Sequence, residues 1–218
     1  MSLKEELIKI SHRIYEKEFV AAYDGNLSVR TNNNTVLITR SAVCKGELGL
    51  EDIIEIDLTG NVISGKGKIS TENKIHLLLY NHRPDVNAVI HAHPIHSTAI
   101  ASSKNLFDKP VFPEVVLTIG RIPLCKYSTP STSELTESMM PFIDDSKVFL
   151  LENHGVVSAG ESLTHAYYLL EKLEHTAKIL INTEILGGVK QLSNQNLESL
   201  YDIALSVYNL NIKDGNKF

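Results

Sequence analysis

The chain has 218 residues, enough to bury one sizeable core, and its 43% hydrophobic and 22% charged residues are ordinary proportions for a globular protein. Its formal net charge of -5 offers no basic surface for nucleic acid, no apolar run approaches the roughly 20 residues of a membrane span, and Cys44 and Cys125 have no metal-type spacing. With no composition shift, repeat or signal-peptide pattern, the expectation is one domain over residues 1–218, cytoplasmic, with neither nucleic acid nor membrane as a partner.

Leu3, Leu7, Ile10 and Ile14 recur at helical spacing among Lys and Glu, which predicts an amphipathic scaffold helix. Asp24-Gly25-Asn26 then marks a tight turn entering a strand, where Asn26 either completes a hairpin turn or offers its amide to an anion. Residues 36–42 read as a strand running into the hydroxyl-bearing loop at Ser41, and residues 53–61 as a strand and turn, so an antiparallel meander is expected. Ser70-Thr71-Glu72 opens a helix with Ile75, Leu78 and Leu79 facing inward. Ser70 or Thr71 fits its N-cap and Glu72 its first turn, so capping explains these residues as readily as catalysis does.

In residues 86–93, Val86, Ala88 and Ile90 alternate with Val89, His91 and His93, and strand alternation puts both imidazoles on one face. Pro94 suits the first helical position, leaving His93 at the strand end, where ligand sites in α/β sheets commonly lie. Two half-buried structural histidines would satisfy the same pattern. Leu150-Leu-Glu-Asn-His154-Gly155, a second apolar strand ending in histidine, brings the metal reading forward, because three histidines with an open fourth position form the ligand set of a catalytic zinc site.

Between and beyond these segments, a short helix is predicted over residues 94–102 and a β-rich run over 112–124. Ser131-Thr-Ser-Glu134 reads as a capping box opening a helix that Pro141 closes. A long helix over residues 162–186 carries His165 and His175 among polar, solvated positions. The last helix aligns Leu197, Leu200, Tyr201, Ala204 and Tyr208, and the tail after Tyr208 is expected to fray.

Gly25-Asn26-Leu-Ser-Val-Arg30, Ile38-Thr39-Arg-Ser41, Ser70-Thr71-Glu72, His91-Ala-His93 and Asn153-His154-Gly155, in this order, resemble the class II aldolase/adducin family over residues 7–186. That family includes fuculose-phosphate and rhamnulose-phosphate aldolases, ribulose-phosphate 4-epimerase and methylthioribulose-phosphate dehydratase. The resemblance implies a three-layer α/β/α fold around a mixed, mostly antiparallel sheet, assembled as a homotetramer with active sites at subunit interfaces. It further implies that His91, His93 and His154 bind Zn²⁺, for which Mn²⁺ or Co²⁺ can substitute because such ligands select poorly among these ions. Glu72 is then the acid/base, ligating the metal before substrate arrives, and Asn26, Ser41, Ala42, Ser70 and Thr71 hold a substrate phosphate.

The implied function is a zinc-dependent aldehyde-lyase of carbohydrate metabolism, cleaving a fuculose-phosphate-like ketose 1-phosphate to dihydroxyacetone phosphate and an aldehyde. Such cleavage leaves an enediolate whose charge a Lewis acid spreads and whose carbon Glu72 would protonate. Four residues depart from the aldolase pattern. Arg40 replaces a Pro, Ser41-Ala42 replaces Thr-Gly, and Phe112 stands where a catalytic tyrosine is expected, leaving only Tyr201 and Tyr208 near the C-terminus. Arg40 is either a solvated loop residue or a charged fork for an anion. Among the other readings, the epimerase typically has Asp at the position of Glu72, the dehydratase keeps an acidic residue and three histidines, and the non-catalytic adducin type lacks the histidine set.

Overall fold

The computed structural model describes residues 1–103 and 105–218. Its helices are α1 (Leu3–Glu16), α2 (Asn73–His82), α3 (Ile95–Ala101), α4 (Pro113–Thr118), α5 (Ser133–Met139), α6 (Leu163–Ile185) and α7 (Asn194–Ser206). The strands are β1 (Asn26–Arg30), β2 (Val36–Thr39), β3 (Ile53–Ile56), β4 (Val62–Ser64), β5 (Ala88–Ala92), β6 (Leu124–Cys125), β7 (Val148–Leu151) and β8 (Gly155–Gly160).

All eight strands join one sheet in the order β4-β3-β2-β1-β5-β8-β7-β6. The meander β1 to β4 is antiparallel, β5 inserts between β1 and β8, and β6 adds the parallel pairing with β7. This is the mixed, mostly antiparallel sheet that the resemblance implies. Each face is covered by helices. Leu27, Ile90 and Val156 pack under Leu7 of α1, Ile100 of α3 and Leu170 of α6 on one side. Ile38, Val89 and Val157 pack under Leu79 of α2 and Leu135 of α5 on the other. Because β5 is buried on both faces, it reads as a continuous apolar run broken only by His91.

The first helix forms as its spacing predicts and is closed by a reciprocal cap between Ser2 and Glu5. Several expectations need correction. The run 112–124 opens as a helix, because Phe112 takes the N-cap and Pro113 occupies the first turn of α4, leaving a strand only at Leu124–Cys125. The box at Ser131 does not form. Thr132 is the N-cap of α5, its hydroxyl donates to the Thr129 carbonyl instead, and Ser131 takes a left-handed φ of 72°. Pro94 is the N-cap of α3 rather than its first residue. On α2 the inward face holds His76, Leu77 and Tyr80 with Ile75 and Leu79, while Leu78 is half-buried.

Strand β8 follows His154 immediately and is buried throughout, although Gly155, Ser158 and Gly160 mute its strand signal. His165 is half-buried, with its Nδ1 accepting from Glu161 N–H at 3.3 Å, while His175 is exposed. The C-terminal tail is tied down rather than frayed. Asn216 is buried, donates to the Ile119 carbonyl at 2.8 Å and accepts from Arg121 N–H at 3.0 Å.

Candidate functional site

The site forms on the α2 face of the sheet, where β5, the turn before β1 and the turn before β8 end together. Asn26 pairs with His91 across the β1–β5 ladder, so the turn and the histidine strand are direct neighbours. Gly25 makes this approach feasible, since at φ 71° an added Cβ would stand 2.8 Å from the His91 carbonyl oxygen.

His91 is fully buried, and its Nδ1 donates to the Val156 carbonyl at 2.9 Å. That bond fixes the tautomer and leaves the Nε2 lone pair facing inward. His93 presents its own Nε2 3.2 Å away, with its Nδ1 toward Asp24 at 3.8 Å. His154 lies in the β7–β8 turn beside Asn153, whose φ is 55°, and its Nε2 is 3.1 Å from Glu72 Oε1. Candidate ligand atoms of the three histidines lie within 4.8 Å of one another, the only such His/Cys/Asp/Glu group of three among the described residues.

Burial, together with the neighbouring histidines, pulls His91 and His93 down to about 4, so both rings are neutral at neutral pH. Metal ligands must be deprotonated, and with the His91 Nε2 lone pair and His93 Nε2 meeting at 3.2 Å the two neutral rings present nitrogens that a cation could take together. His154 Nδ1 is buried without a partner, so its second nitrogen lacks the carbonyl anchor that His91 has.

Glu72 is the N-cap residue of α2 yet makes no side-chain capping bond. Ser70 takes part of that role, its hydroxyl accepting from Glu72 N–H at 3.2 Å. The Glu72 carboxylate turns instead to His154, to His91 Nε2 at 3.4 Å and to the Asn26 amide, which donates at 3.0 Å. Burial raises its pKa, but the His154 bond, the electrostatic pull of the adjacent His91 and His154 rings and the Asn26 bond outweigh this and hold the carboxyl well below its ordinary range.

In front of this cluster is a cavity of about 210 Å³ whose lining includes Asn26, Arg40, Ser41, Ala42, Ser70, Glu72, His93 and His154. The sequence-predicted residues thus converge with one exception. Thr71 is exposed and pairs its hydroxyl with Ser131, away from the cavity lining. Arg40 reaches the cavity while its Nη2 is held 2.6 Å from buried Asp52, and its Nε is buried without a partner. Ala42 adopts φ 58°, a conformation better suited to the glycine of the aldolase pattern. Phe112 packs against the hydrophobic core, Tyr201 accepts from Phe218 N–H, and Tyr208 is exposed; none lines the cavity.

Sequence reasoning missed four residues here. Tyr23 and Asp24 line the cavity from the turn before β1. Lys45 is buried, donates to the Tyr23 and Val43 carbonyls, and is pushed down to about 8 by burial. His76 is fully buried behind Asn26, and its place on an otherwise apolar helix face is a sequence signal that a core histidine would share. A larger cleft of about 780 Å³ opens beside α3 and α6, lined by groups such as Lys17, Ile95 and Tyr168, and does not include the three-histidine cluster.

The model for the Class II Aldolase and Adducin N-terminal domain matches residues 5–181. A 3-oxo-tetronate 4-phosphate decarboxylase of Pectobacterium atrosepticum is 34% identical over 86% of this chain and 86% of its own length. An L-fuculose phosphate aldolase of Methanococcus maripaludis is 37% identical over 80% of this chain and 93% of its own. A solved structure of L-fuculose 1-phosphate aldolase superposes with a TM-score of 0.81 at 29% identity, covering 92% of this chain and 94% of its own. No helix among the described residues is long and apolar enough to cross a membrane. The chain belongs to the class II aldolase and adducin family.

Proposed function

We propose that this protein is a metal-dependent lyase that breaks the bond between the α- and β-carbons of the ketone in a phosphorylated sugar derivative, acting as an aldolase on a ketose 1-phosphate. The observation that carries the reading is the gathering of three histidines around Glu72, with Glu72, His93, His154, Asn26 and Ser70 all lining one small cavity. His91, His93 and His154 would hold the ion, zinc in the first instance, with Glu72 as a fourth ligand before substrate enters. When bound, the ion supplies a Lewis acid for the negative charge that cleavage leaves on the ketone fragment.

The chain's own residues do the rest. Asn26, Ser41, Ser70 and the positive Arg40 would receive the phosphate at the cavity wall, with Ala42 contributing backbone; Thr71 would take part only by turning away from Ser131. Glu72 would hold and return the proton at the carbon that loses its bond, and its partly buried position keeps water from competing. The homotetramer belongs to the same proposal, with Leu205, Val207 and Tyr208, all exposed near the end of α7, as surface for it to cover.

A second reading, decarboxylation of a 3-oxo acid phosphate, is favoured by Phe112. A retro-aldol must take the proton from the hydroxyl that becomes the aldehyde, whereas loss of CO₂ from an ionised carboxylate needs no such base. A phenylalanine cannot be that base, and Tyr23 is the one tyrosine lining the cavity. Both reactions leave the same dihydroxyacetone phosphate enediolate, so Glu72 has the same task in each.

The test is a panel of ketose 1-phosphates and 3-oxo-acid phosphates, assayed with zinc-loaded protein for dihydroxyacetone phosphate, aldehyde and CO₂. Aldehyde release supports the first reading and CO₂ release the second. Glu72→Gln should keep its metal and lose about 10²- to 10⁴-fold in kcat. Near wild-type turnover in that variant would remove Glu72 from the chemistry.

A further inference from the structure

Behind the cavity a line of hydrogen bonds runs from the core to the Glu72 carboxylate. Tyr80 OH lies 2.7 Å from Ser28 Oγ, and Ser28 Oγ lies 2.6 Å from His76 Nδ1. His76 Nε2 meets Asn26 Oδ1 at 2.5 Å, and Asn26 Nδ2 donates to Glu72 Oε2 at 3.0 Å and to Ser70 Oγ at 3.3 Å. Ser28 and His76 are fully buried, so water supplies no alternative partner.

We propose that His76 is a positioning residue, which as the neutral Nε2–H tautomer fixes the orientation of the Asn26 amide and thereby aims its two N–H groups at Glu72 and Ser70. The argument is one of donor counting. An ionised Glu72 accepts only, so Asn26 must present its nitrogen there and its oxygen inward. The inward oxygen requires a donor, and His76 Nε2 is the atom facing it. His76 Nδ1 then accepts the Ser28 hydroxyl proton, and Ser28 accepts from Tyr80. Every donor in the line points toward the carboxylate, and a flipped amide would set the Asn26 oxygen against it. Burial, which draws His76 down to about 4, keeps the ring in the neutral form this polarity needs. The consequence for function rests on the lyase reading, whereas the polarity of the line does not.

The test has two arms. In the zinc-loaded wild type, nitrogen-15 spectra of the His76 ring between pH 6 and 8 should show Nε2 protonated and Nδ1 bare. In kinetics, His76→Leu should lower kcat/KM by about 10- to 100-fold, the scale of a small misplacement at a reacting site. His76→Gln, which can restore an N–H toward Asn26, should recover most of that loss. In an Asn26→Ala background the same His76→Leu change should cost less than about threefold, because the residue it acts through is gone. An Nδ1–H tautomer overturns the proposal, as does an equal penalty in both backgrounds. A wild type that cleaves no phosphorylated substrate sinks the lyase reading, and the ring tautomer then still decides the polarity of the line. If His76→Leu does not fold, the spectra and the His76→Gln kinetics decide in its place.

Discussion

Gly155→Ala is the smallest change expected to damage the histidine cluster without touching a candidate ligand. Gly155 opens β8 directly after His154, and an added Cβ would stand 2.4 Å from His93 Cδ2 and 2.6 Å from the Ala92 carbonyl oxygen. Ordinary carbon–carbon contact is about 3.5 to 4.0 Å, so ring and turn must part by about 1 Å. The Ala92 carbonyl sits at the paired end of the β5–β8 ladder, where Ala92 opposes Val156, and yields only if that ladder loosens. Most of the shift therefore falls on the His93 ring, which is only partly buried and faces His91 Nε2 at 3.2 Å. Metal sites tolerate distance errors of only about 0.2 Å, and disturbing what orients a ligand typically costs about 10- to 100-fold in affinity. The expected outcome is zinc binding weakened by that factor, about 1.4 to 2.7 kcal/mol, beside an overpacking cost of about 1 to 3 kcal/mol to the metal-free fold. Competition against a chromophoric chelator reads the first and thermal unfolding by circular dichroism the second. A folded Gly155→Ala protein that holds zinc within about twofold of wild type would refute the reasoning, because His93 would then not be held where the turn meets it.

Arg40→Ala should raise KM for a phosphorylated substrate by about tenfold or more and leave a neutral analogue unaffected, since the side chain reaches the cavity. It should also cost about 1 to 3 kcal/mol of stability by depriving buried Asp52 of its 2.6 Å partner, and an unchanged KM would assign Arg40 to the scaffold. Lys45 has a folded pKa of about 8, below its ordinary value, so between about pH 8 and 10.5 the unfolded chain holds a proton that the folded chain has released. Stability should rise with pH through that window, and the difference between wild type and Lys45→Met in urea unfolding should carry the slope; parallel curves for the two proteins would contradict the assignment.

The parts that were legible in the sequence share a local cause. Ala88 to Ala92 alternates between the two cores because a strand has period two, and α1 shows its stripe because a surface helix has period 3.6, whereas Val86, ahead of the strand, packs beside Val89 rather than with Ala88 and Ile90. The failures are places where a tertiary partner outweighed the local signal. Ser131 begins a capping-box pattern, but its hydroxyl is spent on Thr71, sixty positions away in sequence, and the helix starts later under Thr132. The tail after Tyr208 is polar and carries no periodicity, yet Asn216 locks against Ile119 and Arg121 through bonds that no pattern announces. Strand β8 was missed for the opposite reason. Its Gly155 and Gly160 weaken propensity because the backbone there must pass close to His93 and to the start of α6.

The candidate site divides along the same line. His91, His93, His154 and Glu72 were legible because metal chemistry restricts residue type and because a family motif surrounds each of them. His76 was not, although it is as buried as His91, since a histidine on an apolar helix face looks the same in sequence whether it orients an amide or only fills the core. What separates the two cases is direction. The Asn26 amide has one inward atom and one outward atom, and only the three-dimensional arrangement shows that the inward atom is an acceptor in need of a donor. The same reasoning limits what Phe112 says about the reaction. Its identity removes a proton acceptor from one position, but which bond breaks depends on whether another acceptor, Tyr23 at the cavity wall, stands where the departing hydroxyl would be. Tyr23→Phe therefore separates the two chemistries, since a retro-aldol that uses this phenol would slow while a decarboxylation would not.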